Sequence, residues 1–180
     1  MAGFFGVAAP IVGFTMIALS IRASPWFSWT GNALSDLGVA GFGSVLFNFG
    51  LPMTGAVMMM FSLGLFELTE GSRAGRLGSI LHLAGAFLLC GIGAFPETAG
   101  PIHFYISVAF FVALPSSLTA LTVFMVTYGM KRFAVLTTAV AVVAAGVWLR
   151  QWSSAALPEA LSALTVGAWH FVLGLWMMRR

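Results

Sequence analysis

Six continuous apolar runs, each about 20 residues long, decide what this chain can fold into. Hydrophobic residues make up 60% of the 180 residues and charged residues only 7%, whereas a soluble domain carries roughly 25% charged residues. Because so few charges cannot cover a water-exposed surface, lipid must surround most of the chain. In lipid the backbone must bond within the protein, which leaves helices or closed barrels, and long unbroken runs favour helices. The sequence therefore predicts an all-α integral membrane protein.

Glycine, proline and charged residues separate the runs, and each run predicts one membrane-spanning helix. The predicted helices cover Phe4–Ile21, Val45–Phe66, Leu77–Ala94, His103–Tyr128, Phe133–Leu149 and Glu159–Met178. No basic stretch precedes the first run and no convincing cleavage site follows it, so we expect a retained helix rather than a signal peptide. We therefore expect residues 1–180 to form a single transmembrane domain, a six-helix bundle.

The basic residues between the runs predict the orientation of the bundle. One set of helix ends carries Arg73, Arg76, Lys131, Arg132, Arg179 and Arg180, and the other set carries Arg22 and Arg150. Cytoplasmic loops are enriched in Lys and Arg, so we expect a cell-membrane protein with both termini in the cytoplasm. Since the bases lie at the ends of apolar runs, they indicate topology and not a nucleic-acid partner.

Small residues recur at helix-packing spacing on three of the predicted helices. They are Gly75, Gly78, Gly85 and Gly93 on the third, Ala141 and Ala145 on the fifth, and Ala163, Gly167 and Gly174 on the sixth. Small residues let helix backbones approach closely inside lipid. These faces predict packing within the chain, and they could equally serve a homo-oligomer.

The long first loop contains a polar stretch, residues 26–38, which we name the outer segment. Thr30 or Asn32 can begin a short outer helix there, and Gly38 can end it in a left-handed conformation. Asn32 and Asp36 are four residues apart and share a face. We expect either a lid that points Asp36 into a pocket, or a segment in which Ser35 and Asp36 bond to backbone groups and fix the loop.

A second polar group belongs to the same predicted outer side, where Glu97 and His103 flank Pro101 and Arg150 follows the fifth run. A carboxylate beside a histidine can act as a general acid and base or hold a metal. No second metal ligand lies at helical spacing, so we expect no metal site. The alternative is a cluster of salt bridges and hydrogen bonds that ties three loops together.

Two further histidines, His82 and His170, lie at similar depth toward the predicted cytoplasmic side. Each is flanked by glycines on its own helix, and a pair of this kind could ligate a haem b iron from both sides. The alternative is that each neutral ring forms a hydrogen bond across a helix contact. The second interpretation needs no cofactor.

Several short motifs resemble a bacterial and archaeal membrane protein family of unknown function, number 998. The matching elements are Ser35-Asp36-Leu37-Gly38 after the first helix, Phe47-Asn48-Phe49-Gly50-Leu51 in the second, and Gly93-Ala94-Phe95-Pro96 after the third. His103 falls where such proteins often place a histidine. The resemblance implies a shared feature of the outer face formed by Ser35, Asp36, Asn48 and Pro96. It implies the fold but no activity.

Three functions follow from these patterns as hypotheses. In the first, an outward-facing pocket binds a membrane lipid or another apolar ligand with a polar head. Its binding residues would be drawn from Asn32, Ser35, Asp36, Asn48, Glu97, His103 and Arg150. In the second, a membrane-embedded hydrolase or transferase uses His103 as a base that Asp36 orients. In the third, His82 and His170 make the chain a haem b electron carrier.

Overall fold

The computed structural model describes residues 1–179 and contains six helices long and apolar enough to cross a membrane. They are α1 (Ala2–Arg22), α2 (Gly41–Leu68), α3 (Arg73–Ala94), α4 (Pro101–Thr127), α5 (Lys131–Gly146) and α6 (Ala156–Met177). A short 3-10 turn, Val147–Leu149, extends α5, and no strand occurs in the described part of the chain. The prediction of an all-α, six-helix membrane bundle is confirmed. Arg180, which the orientation argument counts, lies outside the described residues.

The helix boundaries differ from the predicted ones mainly at the starts of α2 and α3. Helix α2 begins four residues earlier, at Gly41, whose φ of 77° follows the extended Ala40. Helix α3 also begins four residues earlier, because the hydroxyl of Ser72 accepts a hydrogen bond from the Gly75 amide and caps the helix. These first turns are polar or rich in glycine, so hydropathy alone places them outside the membrane helices.

The short helix between α1 and α2 is present as a 3-10 turn, Ser35–Gly38. The turn ends at Gly38 as predicted, but its predicted start and the left-handed conformation of Gly38 were wrong. Leu34 occupies the N-cap position without a side-chain cap bond, and Gly38 does not have a positive φ. The glycine with a positive φ is Gly41, where the chain turns into α2.

The six helices form a closed ring in which each packs against the next and α6 packs back against α1. Large side chains fill the inside of this ring, including the fully buried Phe61, Leu121 and Trp169. Leu37 of the outer segment is also fully buried, so this segment is part of the packed structure.

The contact between α1 and α6, which we name the seam, depends on glycine. A Cβ atom added at Gly174 would lie 2.7 Å from the Gly3 carbonyl oxygen and 2.9 Å from the Gly6 carbonyl carbon. These neighbours are backbone atoms and cannot turn away as a side chain would. The two backbones can therefore approach only because both helices lack side chains at these positions.

The glycines predicted to mediate packing on α3 contact neighbouring helices of the same chain. Gly78 and Gly85 pack against Leu121 and Leu114 of α4, where an added Cβ atom would meet each leucine at 2.7 Å. Gly93 packs against Pro52 of α2 in the same way. The small-residue faces thus join neighbouring helices of one chain.

Candidate functional site

A cavity of about 740 Å³ opens near the predicted outer ends of α4, α5 and α6, and we name it the lateral cavity. Its polar end is formed by Ser35, Glu97, His103, Ser107 and Glu159. Its apolar walls are formed by Phe104, Val108, Phe111, Val112, Pro115 and Trp148. Phe104 and Val112 are 64% and 60% exposed, which is expected where a helix faces lipid. The lateral cavity therefore combines a polar end with an apolar wall that reaches the bilayer.

The outer segment is held by its own hydrogen bonds and by bonds to other elements. The Asp36 carboxylate accepts from the Asn32 side chain at 2.8 Å and from the Ala33 amide at 3.0 Å, both through Oδ2. Asn32 lies before the 3-10 turn, so this bond closes the loop and does not come from a shared helix face. The Asn48 side chain donates to the Gly38 carbonyl at 2.8 Å and ties the end of the segment to α2.

Two carboxylates join the outer segment to the rest of the site. The Ser35 hydroxyl donates to Glu97 Oε1 at 2.6 Å, which links the segment to the loop between α3 and α4. The Leu34 amide donates to Glu159 Oε2 at 2.6 Å, which links it to the first turn of α6. Both carboxylates line the lateral cavity. No lysine or arginine of the described chain lines it with them.

His103 is held in one orientation by the loop before it. Its Nδ1 lies 2.7 Å from the Phe95 carbonyl oxygen, which can only accept, so Nδ1 carries the proton of this hydrogen bond. With the proton on Nδ1, Nε2 is the acceptor of the neutral ring. The nearest described donor to Nε2 is the Ser107 hydroxyl at 3.4 Å, one turn along α4. His103 is buried and adds a hydrogen-bond acceptor to the cavity.

The residues named from the sequence divide into two groups. Ser35, Glu97 and His103 line the lateral cavity. Asn32, Asp36, Asn48 and Arg150 line neither this cavity nor the central cavity described below. The Arg150 guanidinium instead lies over the Trp152 ring, 5.0 Å from its centroid. The structure also gives His103 a backbone carbonyl, and not Asp36, as its Nδ1 partner.

Glu159 is the site residue that sequence reasoning missed. An acid in the first turn of a helix is usually explained by the helix dipole, and Glu159 was assigned only as a helix start. Its carboxylate reaches the Leu34 amide, 125 residues earlier in the chain. The one sequence signal was its position at the edge of an apolar run, where a carboxylate is costly unless it has a partner.

A second, narrower cavity of about 120 Å³ lies at the centre of the ring, and we name it the central cavity. Side chains of α1, α2, α3, α4 and α6 line it, together with Leu34 of the outer segment. Four residues line both cavities, namely Ser35, Ser107, Phe111 and Glu159. The two cavities therefore meet at the polar end of the lateral cavity. At its other end the central cavity reaches His170.

His82 and His170 meet directly inside the ring, with their Nε2 atoms 2.7 Å apart. The Val166 carbonyl accepts from His170 Nδ1 at 2.9 Å, and the Ser62 hydroxyl lies 2.7 Å from His82 Nδ1. With both rings neutral, one arrangement of protons satisfies all three hydrogen bonds. His170 Nδ1 donates to Val166, His82 Nε2 donates to His170 Nε2, and Ser62 donates to His82.

This histidine pair does not fit a haem in the arrangement observed. Two imidazoles that ligate one iron need their nitrogens about 4 Å apart, since each metal–nitrogen bond is about 2 Å long. Here the nitrogens bond to each other at 2.7 Å. The rings of Phe61 and Trp169 pack against the pair, with centroids 5.3 Å from that of His170. The pair is a hydrogen bond that joins α3 to α6 across the ring.

The lateral cavity is rich in hydrogen-bond acceptors and poor in donors. The Ser35 hydroxyl is bonded to Glu97, and the polar end retains the two carboxylates and the acceptor Nε2 of His103, whose bond from Ser107 is long at 3.4 Å. Groups of this kind bind hydrogen-bond donors and cations. They oppose a phosphate or carboxylate by like-charge repulsion.

Comparison with known proteins places the chain in a family. Searches of curated proteins and of solved structures give no match. The family described as "Protein of unknown function (DUF998)" matches residues 7–176. The match includes the outer segment, the acceptor-rich end of the lateral cavity and both members of the histidine pair. With nearly its whole length covered, the chain belongs to the DUF998 family.

Proposed function

We propose that the protein binds an amphiphilic membrane molecule at the lateral cavity, with an amine or another donor-rich head against the acceptors and an apolar chain that extends from this polar end. The head would meet Glu97, His103 and Glu159. Membrane lipids or lipid-like amines are the corresponding partners. The proposal keeps the ligand class expected from the sequence and changes the residues that meet its head.

One observation supports this proposal above the others: two carboxylates line a cavity to which the described chain contributes no lysine or arginine. A carboxylate withdrawn from water is costly unless a partner offsets its charge or bonds its oxygens. Glu97 Oε1 and Glu159 Oε2 each have one protein donor, and both residues also face the open cavity. A ligand ammonium would supply the missing positive charge.

The same charges disfavour the hydrolase or transferase hypothesis. Acyl and phosphoryl transfer develop negative charge on oxygen, and enzymes stabilise it with aimed donors or cations. Here the acidic residues that line the cavity with His103 are two carboxylates, which would raise the energy of such a transition state. Binding is therefore the function that the geometry supports best.

The test compares four probes with the same chain and different heads: oleylamine, oleyl alcohol, oleic acid and oleyl phosphate. Native mass spectrometry of the purified protein measures the bound fraction of each. We expect oleylamine to bind at least tenfold more tightly than oleic acid and oleyl phosphate. The double variant Glu97→Gln, Glu159→Gln should abolish most of this preference.

The control is the double variant Glu67→Gln, Glu70→Gln, which removes the same two charges from exposed residues near the end of α2, away from both cavities. It should leave the head preference unchanged. Equal binding of amine and phosphate in the wild type would refute the proposal. An effect of this control as large as that of Glu97→Gln, Glu159→Gln would also refute it, because the preference would then reflect net charge alone.

For its location, we infer that the protein lies in the cell membrane with both termini in the cytoplasm. Six of the eight basic residues belong to the helix ends on the side of the termini, which supports this orientation. The lateral cavity would then face the outer leaflet. Labelling a cysteine added after Arg150 with an impermeant reagent in intact cells tests the orientation.

A further inference from the structure

The central cavity is larger than packing defects usually are, and it lies directly behind the site for the ligand head. Helix bundles are packed closely, and voids larger than a water molecule are few in a domain. This cavity has a volume of about 120 Å³, is lined by five of the six helices and opens toward the lateral cavity. An apolar cavity of roughly 150 Å³ in another protein stays dry and takes up benzene.

The lining of the central cavity is suited to an apolar guest and not to water. Most of it is aliphatic or aromatic, and the two polar side chains beyond its junction with the lateral cavity, Thr54 and His170, have partners elsewhere. The Thr54 hydroxyl donates to the Gly50 carbonyl at 2.7 Å, and His170 uses Nδ1 on Val166 and Nε2 on His82. Because a buried water needs two to four polar partners, this lining favours a dry cavity.

The shape of the central cavity is narrow for its length. Glu159 and His170 both line it and lie eleven residues apart on α6, which corresponds to about 16 Å along the helix axis. A volume of about 120 Å³ spread over that distance leaves room for one slender chain. The pair of His82 and His170 closes the inner end.

We propose that the ligand is a single-chain amine whose apolar chain passes between Ser35 and Glu159 into the central cavity and ends against the His170 ring. This inference rests on the proposed function, because the head is held by the carboxylates at the junction of the two cavities. Lipid tails and the cavity wall are both apolar, so no hydrophobic effect drives the ligand's chain out of the bilayer. Its position in the central cavity is favoured by dispersion contacts with lining side chains that otherwise face empty space.

The test uses dodecylamine that carries a photoreactive diazirine at the end of its chain. After illumination of the purified protein, peptide mass spectrometry locates the labelled residues. We expect label on Met58 and Val166, which line the inner part of the central cavity. Label confined to Val112 and Trp148 would overturn the inference, because the chain would then lie in the lateral cavity.

Two matched variants place a phenylalanine in each cavity. Ala163→Phe fills the central cavity and should lower the labelling of Met58 and Val166 at least tenfold. Ala145→Phe narrows the lateral cavity and should lower it much less. Ala163→Leu is the smaller substitution if the phenylalanine variant does not fold. Equal effects of the central and lateral variants would also overturn the inference.

The outcomes separate the two proposals. If the label lies in the lateral cavity and oleylamine displaces it but oleic acid does not, the proposed function is supported and the inner position of the ligand's chain is rejected. Label that neither competitor displaces, spread over lipid-facing residues, would reject both proposals.

Discussion

Replacing the histidines of the buried pair, singly and together, should reveal a strong energetic coupling between α3 and α6. In His82→Leu the Nε2 atom of His170 loses its donor, and in His170→Leu the Nε2–H of His82 loses its acceptor. Leaving one buried polar group unsatisfied costs about 1–3 kcal/mol. A hydrogen bond between membrane helices contributes about 0.6 kcal/mol on average and about 1.7 kcal/mol at most. We therefore expect each single variant to lower the free energy of unfolding by about 2 kcal/mol.

The double variant should lower the free energy of unfolding by much less than the sum of the two single variants. It leaves neither Nε2 atom unpaired, and the Ser62 hydroxyl can turn to the Met58 carbonyl, 2.9 Å away. Two leucines would then pack against Phe61 and Trp169. We expect a coupling free energy of about 2 kcal/mol, because both single variants pay for an unpaired ring and the double variant does not.

The measurement is reversible unfolding in mixed micelles of a mild detergent and dodecyl sulfate, followed by tryptophan fluorescence. The control cycle combines His170→Leu with His103→Leu, since His103 bonds to Phe95 and Ser107 near the other end of the bundle. That cycle should be additive to within about 0.5 kcal/mol. If the His82 and His170 cycle is equally additive, the direct bond between the rings contributes nothing and the reasoning fails.

Two further predictions concern the seam and the outer segment. Gly174→Ala should destabilise the protein by about 3 kcal/mol, at the upper end of overpacking, because backbone atoms of α1 block the new Cβ atom. The control is Gly146→Ala, where no atom lies within 4 Å of the new Cβ, and it should stabilise the protein by about 0.5–1 kcal/mol in the same unfolding assay. An equal loss of stability in the two variants would contradict the seam geometry. Asn48→Ala should raise hydrogen exchange in the outer segment about fivefold, because about 1 kcal/mol is lost with the bond to the Gly38 carbonyl. Ser44→Ala, which removes only a local bond on the same helix, should leave that exchange unchanged.

Local patterns in the sequence were sufficient to predict the helices. Hydropathy located all six spans, since each apolar run must cross the bilayer as one helix. It placed the start of α3 too late, because the cap at Ser72 and the basic first turn are polar. Asn32 and Asp36 do bond to each other, but from the loop before the 3-10 turn and not on the shared helix face that their spacing predicted.

Contacts between distant parts of the chain could not be predicted in this way. Equal depth put His82 and His170 near one another along the membrane normal, but hydropathy does not say which helices face each other across a ring. The role of Glu159 depends on the Leu34 amide, which only the folded outer segment brings to α6. The sequence also left two interpretations open for Asp36, a pocket residue or a residue bonded to the backbone. No sequence signature separates a loop carboxylate that accepts from a backbone amide, as Asp36 does, from one that is free to bind a ligand.

The seam also has a consequence for the order in which the chain is assembled. Helix α1 is synthesised first among the six, yet one of its two partners, α6, is synthesised last. Until α6 enters the membrane, Gly3 and Gly6 of α1 have only lipid to contact on that side. Every intermediate on the ribosome is therefore an open arc, and neither the central cavity nor the bond between His82 and His170 can form before the last helix arrives.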